Sequence, residues 1–177
     1  MQKCENGENL RIIKKDIKGS EKRYLLSLNR TKHQLEIYTK VSNDVLYKYY
    51  SIRDNFDSFD YFMFEKIKSI PCICGGTNSP TPYGIFNIEQ VSKECYISNY
   101  HPKYNQVKFF GYMVIFEDYF IHSNMYLMDV NEEKMRSGSG NCISVDDKYT
   151  SGCIRVKQAD LDWLLDNVEC GTITQLM

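Results

Sequence analysis

A chain of 177 residues, 42% hydrophobic, with 22 Lys and Arg against 23 Asp and Glu for a formal charge of −1, is long enough to bury a core without disulfide staples. Its basic residues are scattered rather than clustered, which argues against nucleic acid or an anionic membrane surface as a partner; no run of about eighteen apolar residues exists, so no transmembrane segment is expected. Seven cysteines cannot all pair within one chain, so at least one is free, buried or reactive.

Residues 1–21 are polar and lack a sustained period, and read as an N-terminal arm. "MQKCENGENLRIIKKD" has neither the apolar centre nor the small-residue cleavage site of a secretory signal. That leaves a cytosolic protein or a chain trimmed of its export segment. A single domain is expected over 22–177.

From Arg23 the pattern turns to β. "RYLLSLN", "HQLEIYT" and "VLYKYYSI" are short, aromatic or β-branched, and separated by polar turn candidates at Asn29 to Lys32 and Ser42 to Asp44. "DNFDSFDYFMFEKIK" is ambiguous between helix and loop. In "SIPCICGG", Ile70, Cys72 and Cys74 fall on one side at the period of two expected of a strand. Pro80, Pro82 and Gly84 in "TNSPTPYGIFNIEQV" predict a rigid turn before the next strand. "ECYISNY" and "QVKFFGYMVIFEDYFIHS" continue the β pattern, the latter as one strand or two.

One segment reads clearly as helical. In "QADLDWLLDNV", Leu161, Leu164, Leu165 and Val168 follow the i, i+3, i+4, i+7 spacing of one buried face, with Asp160 and Asp162 in the opening turns. Gly171 is a plausible stop, and "TITQL" returns as a last strand. Many strands and one late helix predict a mostly β domain.

Two readings of Cys153 in "TSGCIRV" compete. It lies at a turn entering a short apolar strand, which is a good seat for a nucleophile with backbone N–H groups nearby; a buried cysteine behaving as a small hydrophobe is the bland alternative. A thiol nucleophile needs a base. Of the three histidines, His33 follows a turn among charged residues and His101 precedes Pro102 in a loop, whereas His122 ends a long apolar strand. Strand ends are where a rigid scaffold positions active-site groups, so His122 is the best partner, with a backbone carbonyl near Ser123 available to fix its tautomer. Cys72 and Cys74 form C-x-C rather than the C-x2-C of zinc knuckles, with no second pair, so they read as core and no metal is expected.

"TSGCIRV" resembles the Ser/Thr-x-Gly-Cys-hydrophobic-Arg/Asn signature of L,D-transpeptidases, the YkuD domain family. Three other stretches agree in order: "PTPYGIFNI", "YFIHSNMY" and "DLDWLLDNVECGTITQL". The resemblance implies a β-rich, YkuD-like sandwich in which Cys153 is acylated and His122 is its base. It further implies that Ser123 orients the imidazole through its carbonyl, and that Gly152 and Cys153 supply the oxyanion hole. Thr150, Ser151 and Arg155 would shape the substrate site, and Tyr112, on the long strand, is a candidate groove residue. The implied reaction transfers the third residue of a peptidoglycan stem tetrapeptide to an amine on a neighbouring stem, making a 3→3 cross-link, with no metal or organic cofactor. Carbapenem β-lactams are implied as covalent inhibitors, and a site of action in the cell wall, outside the membrane. Ser151 stands where many members have His, and the long 124–149 interval, similar to that of some Gram-positive enzymes, is expected to be a lid loop. An L,D-carboxypeptidase, a non-catalytic wall-binding module and an exported effector remain alternatives.

Overall fold

The computed structural model describes residues 9–42, 60–101 and 103–177, which fall into two compact units. Of the described residues, the first draws on those up to Ile70, on Tyr83–Asn87 and on Gly171–Met177; the second on Pro71–Pro82 and on those between Ile88 and Cys170. The strand expected over "VLYKYYSI" lies outside the described residues.

In the first unit, β2 (Tyr24–Asn29) and β3 (Gln34–Lys40) form the expected hairpin, with Leu26 opposite Ile37. Strand β4 (Tyr61–Ile73) contributes its residues up to Ile70 here, and β1 (Leu10–Lys14) pairs antiparallel with it. The stretch read as an arm therefore contains a strand. Its signal is short: Ile13 is its buried apolar residue, and it completes a core of Leu25, Tyr38, Phe64 and Ile173. The part of "DNFDSFDYFMFEKIK" from Tyr61 is likewise strand, not helix or loop. Adjacent Met63 and Phe64 are both fully buried, so period-two alternation is absent from the sequence there. On the other side of β2 runs β10 (Ile173–Leu176), parallel to it and antiparallel to β5 (Gly84–Asn87).

The second unit carries the last residues of β4, then β9 (Ile154–Val156), β8 (Tyr119–His122), β7 (Val107–Phe116) and β6 (Gln90–Ser98), in that spatial order. The long apolar run is thus two strands. Glu117, at a left-handed φ of 45°, turns β7 into β8, as a tight hairpin requires. Ile70, Cys72 and Cys74 are all buried, as their spacing predicts.

The expected helix is α2, Gln158–Asn167, once a five-residue helix α1 (Glu132–Arg136) has been counted before it. Leu161, Leu164, Leu165 and Val168 are buried. A Cβ on Gly111 of β7 would stand 2.5 Å from Leu165 Cδ1, and its φ is +79°, so glycine lets helix and strand approach closely. Helix α1 starts where Asn131 accepts a hydrogen bond from the Lys134 N–H, 2.9 Å away. It sends Met135 into a cluster with Phe110, Tyr126 and Val130, so the 124–149 interval holds a packed segment as well as loop.

Candidate active site

Backbone pairing brings the two candidate reactive residues together within the second unit. Parallel strands β8 and β9 align Ile121 with Ile154 and His122 with Arg155. Cys153, one residue before β9, therefore faces Phe120, whose N–H points at its Sγ at 3.5 Å. Asp118, in the β7–β8 turn, presents its carbonyl to the same sulfur at 3.7 Å. Burial pushes the Cys153 thiol pKa up; the Phe120 N–H opposes that shift and the Asp118 charge adds to it. The resting group is a neutral thiol.

His122 is buried, and its Nδ1 lies 2.6 Å from the Ser123 carbonyl oxygen. A carbonyl only accepts, so Nδ1 carries the proton and Nε2 keeps its lone pair. The ring stacks on Phe109 with centroids 4.4 Å apart. Burial lowers the His122 pKa from 6.5 to about 4; the Ser123 hydrogen bond works against this and the Arg155 charge works with it. The imidazole is neutral at physiological pH, and the thiol's hydrogen-bond contacts are to Phe120 and Asp118, not to this ring.

The loop before Cys153 is tied down by one hydroxyl. Thr150 Oγ1 donates to the Cys153 carbonyl at 2.5 Å and accepts from the Gly152 N–H at 3.2 Å, while the Thr150 N–H donates to the Cys74 carbonyl at 3.0 Å. Gly152 has φ +112°, and a Cβ there would stand 2.5 Å from Tyr119 Cε1. The sharp turn that aims Cys153 therefore requires glycine. One of the two backbone donors expected for an oxyanion hole, Gly152 N–H, is engaged by Thr150 in this state.

Cys153, His122, Thr150, Ser151 and Arg155 all line one cavity of about 550 Å³. Tyr112 does not. Its hydroxyl accepts from Gln90 Nε2 at 3.2 Å, and its ring packs edge-on against Tyr96 and Phe120, which do line the cavity. The sequence reading missed Tyr96, Asp118 and Asp147, and it set His101 aside as a loop residue although His101 is in the cavity wall. Asp118, Asp147 and His101 come from turns and irregular chain, where no period marks a side chain's direction, and Tyr96 comes from β6, whose register shifts between Ser92 and Cys95.

The six described cysteines are free thiols, and burial, with Cys74 alongside, pushes Cys72 up to about 12. Among the described residues no group of three or more His, Cys, Asp or Glu is placed to hold a metal ion, and no helix is long and apolar enough to cross a membrane.

A buried neutral imidazole and a cysteine on a glycine turn share the wall of one cavity at the ends of neighbouring β-strands, an arrangement that can supply a base and a thiol nucleophile. The family model for the L,D-transpeptidase catalytic domain, YkuD, matches residues 61–176, and the chain belongs to that family. Among solved structures it is similar to an L,D-transpeptidase from Mycobacterium smegmatis, with TM-score 0.55 and 14% identity over 88% of this chain and 58% of that one. L,D-transpeptidase 1 of Mycobacterium tuberculosis gives TM-score 0.54 and 11% identity over 88% and 61%. An L,D-transpeptidase in complex with imipenem gives 0.57 and 10% over 96% and 83%. At these identities the likeness is one of fold, and the chain spans less than two thirds of the length of the first two structures. No match was found among curated proteins.

Proposed function

We propose that the protein is a cysteine-dependent L,D-transpeptidase that forms 3→3 peptidoglycan cross-links at the cell wall. In this reading, as the Cys153 sulfur attacks the carbonyl of the third residue in a stem tetrapeptide, His122 Nε2 takes the thiol proton. It then returns that proton to the amine of the departing terminal residue. The thioester next passes its acyl group to an amine of a second stem, so one difficult amide exchange becomes two easier steps. The Cys153 N–H donates to the developing oxyanion, and Ser123 holds the imidazole in the tautomer that accepts. The observation that carries the reading is the 2.6 Å contact from His122 Nδ1 to the Ser123 carbonyl, on a ring that shares a cavity with Cys153. In the same reading the 124–149 interval, which brings Met125, Ile143, Asp147 and Tyr149 to the cavity wall, acts as a lid. No cofactor takes part.

Intact mass after exposure to imipenem tests the nucleophile. A covalent adduct is expected on the wild type and none on Cys153→Ala; a folded wild type that stays unmodified would overturn the reading. His122→Ala is expected to slow adduct formation by about 100-fold, the size of effect that follows loss of a general base. An unchanged rate would remove His122 from the mechanism. Purified tetrapeptide muropeptides then separate the two acceptors: cross-linked dimers are expected, and tripeptide alone would mean an L,D-carboxypeptidase.

A further inference from the structure

Arg155 is poorly matched to its surroundings. It is 2% exposed, yet Nη1 donates to Asp147 Oδ2 at 2.9 Å, Nη2 reaches the Asp147 carbonyl only at 3.5 Å, and Nε has no partner. A guanidinium carries five N–H donors in a rigid fork suited to two parallel bonds with one carboxylate, and a buried charge normally has that complement filled. Its position is fixed by strand pairing, directly in register with His122 and two residues beyond Cys153. Asp147 is held differently. Its side chain is 42% exposed, and it sits in irregular chain whose N–H makes a long 3.4 Å turn contact to the Ser144 carbonyl. Both residues line the cavity that holds Cys153 and His122. A fixed cation is therefore paired with a replaceable anion.

The geometry points to Arg155 as the carboxylate-binding residue of this cavity, with Asp147 a resident carboxylate that a substrate's carboxylate displaces. The ligand class is a peptide with a free carboxylate close to the bond being broken; that the ligand is a stem peptide rests on the reading above. Two groups share this chemistry: the terminal carboxylate of the leaving residue, and a side-chain carboxylate on the third residue. Once released, Asp147 turns toward solvent, on the wall where His101 and Lys103 also stand.

The test measures binding by calorimetry on the full chain carrying Cys153→Ala, so that no turnover intervenes. Three ligands are compared: a stem tetrapeptide with a carboxylate at both places, the same peptide amidated at its C-terminus, and the same peptide amidated on the third side chain. One amide is expected to bind about tenfold more weakly than the free acid, the loss expected of a charge-assisted pair, and which amide does so identifies the carboxylate. Arg155→Gln should bring the free acid down to that amide's level. Replacing a buried residue risks the fold, so Asp147→Asn at a half-exposed position is the second arm. It keeps the shape, removes the competing charge, and should tighten binding of the free acid by severalfold while leaving the weaker amide unchanged. Equal binding of all three peptides, no binding of any, or an Asp147→Asn effect common to free acid and amides would each overturn the assignment. Acyl-enzyme formation by the wild type is a separate measurement, so its failure would count against the transpeptidase reading and not against carboxylate preference.

Discussion

Glu36 in the first unit and Arg155 in the second are charged side chains 3% and 2% exposed, and their surroundings differ in kind. Both Glu36 oxygens are supplied: Oε2 accepts from Tyr38 Oη at 2.7 Å and lies 3.6 Å from Arg11 Nη2, while Oε1 accepts from Lys66 Nζ at 3.3 Å and Asn29 Nδ2 at 3.4 Å. Burial acts to raise the Glu36 pKa, but the Tyr38 hydrogen bond and the Lys66 charge outweigh it and the net shift is downward. Glu36 is not among the residues lining the cavity of Cys153 and His122, whereas Arg155 stands on that wall with its Nε unpartnered. A buried charge with its partners complete holds strands together; one left short beside a cavity is poised for a ligand.

The sharpest way to separate the two regions is acid, because their ionisable groups respond in different windows. His122 has a folded pKa lowered to about 4. Between about 6.5 and 4 the unfolded chain binds a proton that the folded site refuses, so stability falls as pH drops through that window and levels off below it. The size is roughly 3 kcal/mol at about 1.4 kcal/mol per pH unit. Urea unfolding of wild type and His122→Gln at pH 7 and pH 4.5 measures it. The wild type is expected to lose more stability than the variant over this interval, and parallel losses would contradict a buried, reluctant imidazole. Glu36 works with the opposite charge. A carboxyl with a depressed folded pKa contributes stability that is present above its unfolded value near 4.5 and is lost as pH falls through the lower folded value.

Glu36→Gln comes next in expected size. It keeps the shape but removes the charge that Lys66 and Arg11 face, and should cost about 2 kcal/mol of stability at pH 7, in the range for hydrogen bonds to charged groups. The effect should shrink as pH falls from the unfolded carboxyl value through the lower folded one, and imipenem adduct formation by the folded variant should be unchanged. A change in adduct rate at full occupancy of the folded state would mean that the first unit's charge network reaches the site.

What was legible in the sequence follows the same division. Cys153, His122 and Ser123 were singled out by a glycine turn, a strand end and the resemblance of the motifs around them, and strand pairing puts Cys153 and His122 on the wall of one cavity. The α2 face was legible because its 3.6-residue period spans several turns. Strand β1 and the start of β4 were not, since Ile13 is a single buried residue and Met63 and Phe64 are buried on adjacent positions. Asp147 and His101 had no local signal at all. Their place beside the site is set by where irregular chain packs, a long-range property that adjacent residues do not encode.

Tyr112 shows how one glycine defeats such a reading. Positive φ at Gly111 interrupts the alternation of β7, so Phe109 and Tyr112, three residues apart, both contact the Tyr96 and Phe120 rings. Of these four, Tyr112 is the one absent from the cavity wall; it supports the others from behind. Among the described residues its hydroxyl bonds the exposed Gln90 amide, so Tyr112→Phe should change stability by less than about 0.5 kcal/mol, as other surface changes do, and leave imipenem adduct formation within about twofold. Tyr96→Ala removes a wall ring in contact with Phe109, on which His122 stacks, and should slow the same adduct severalfold. If Tyr112→Phe instead proved the more damaging of the two, the hydroxyl would have to reach the reacting groups, and the assignment of Tyr112 to the supporting layer would be wrong.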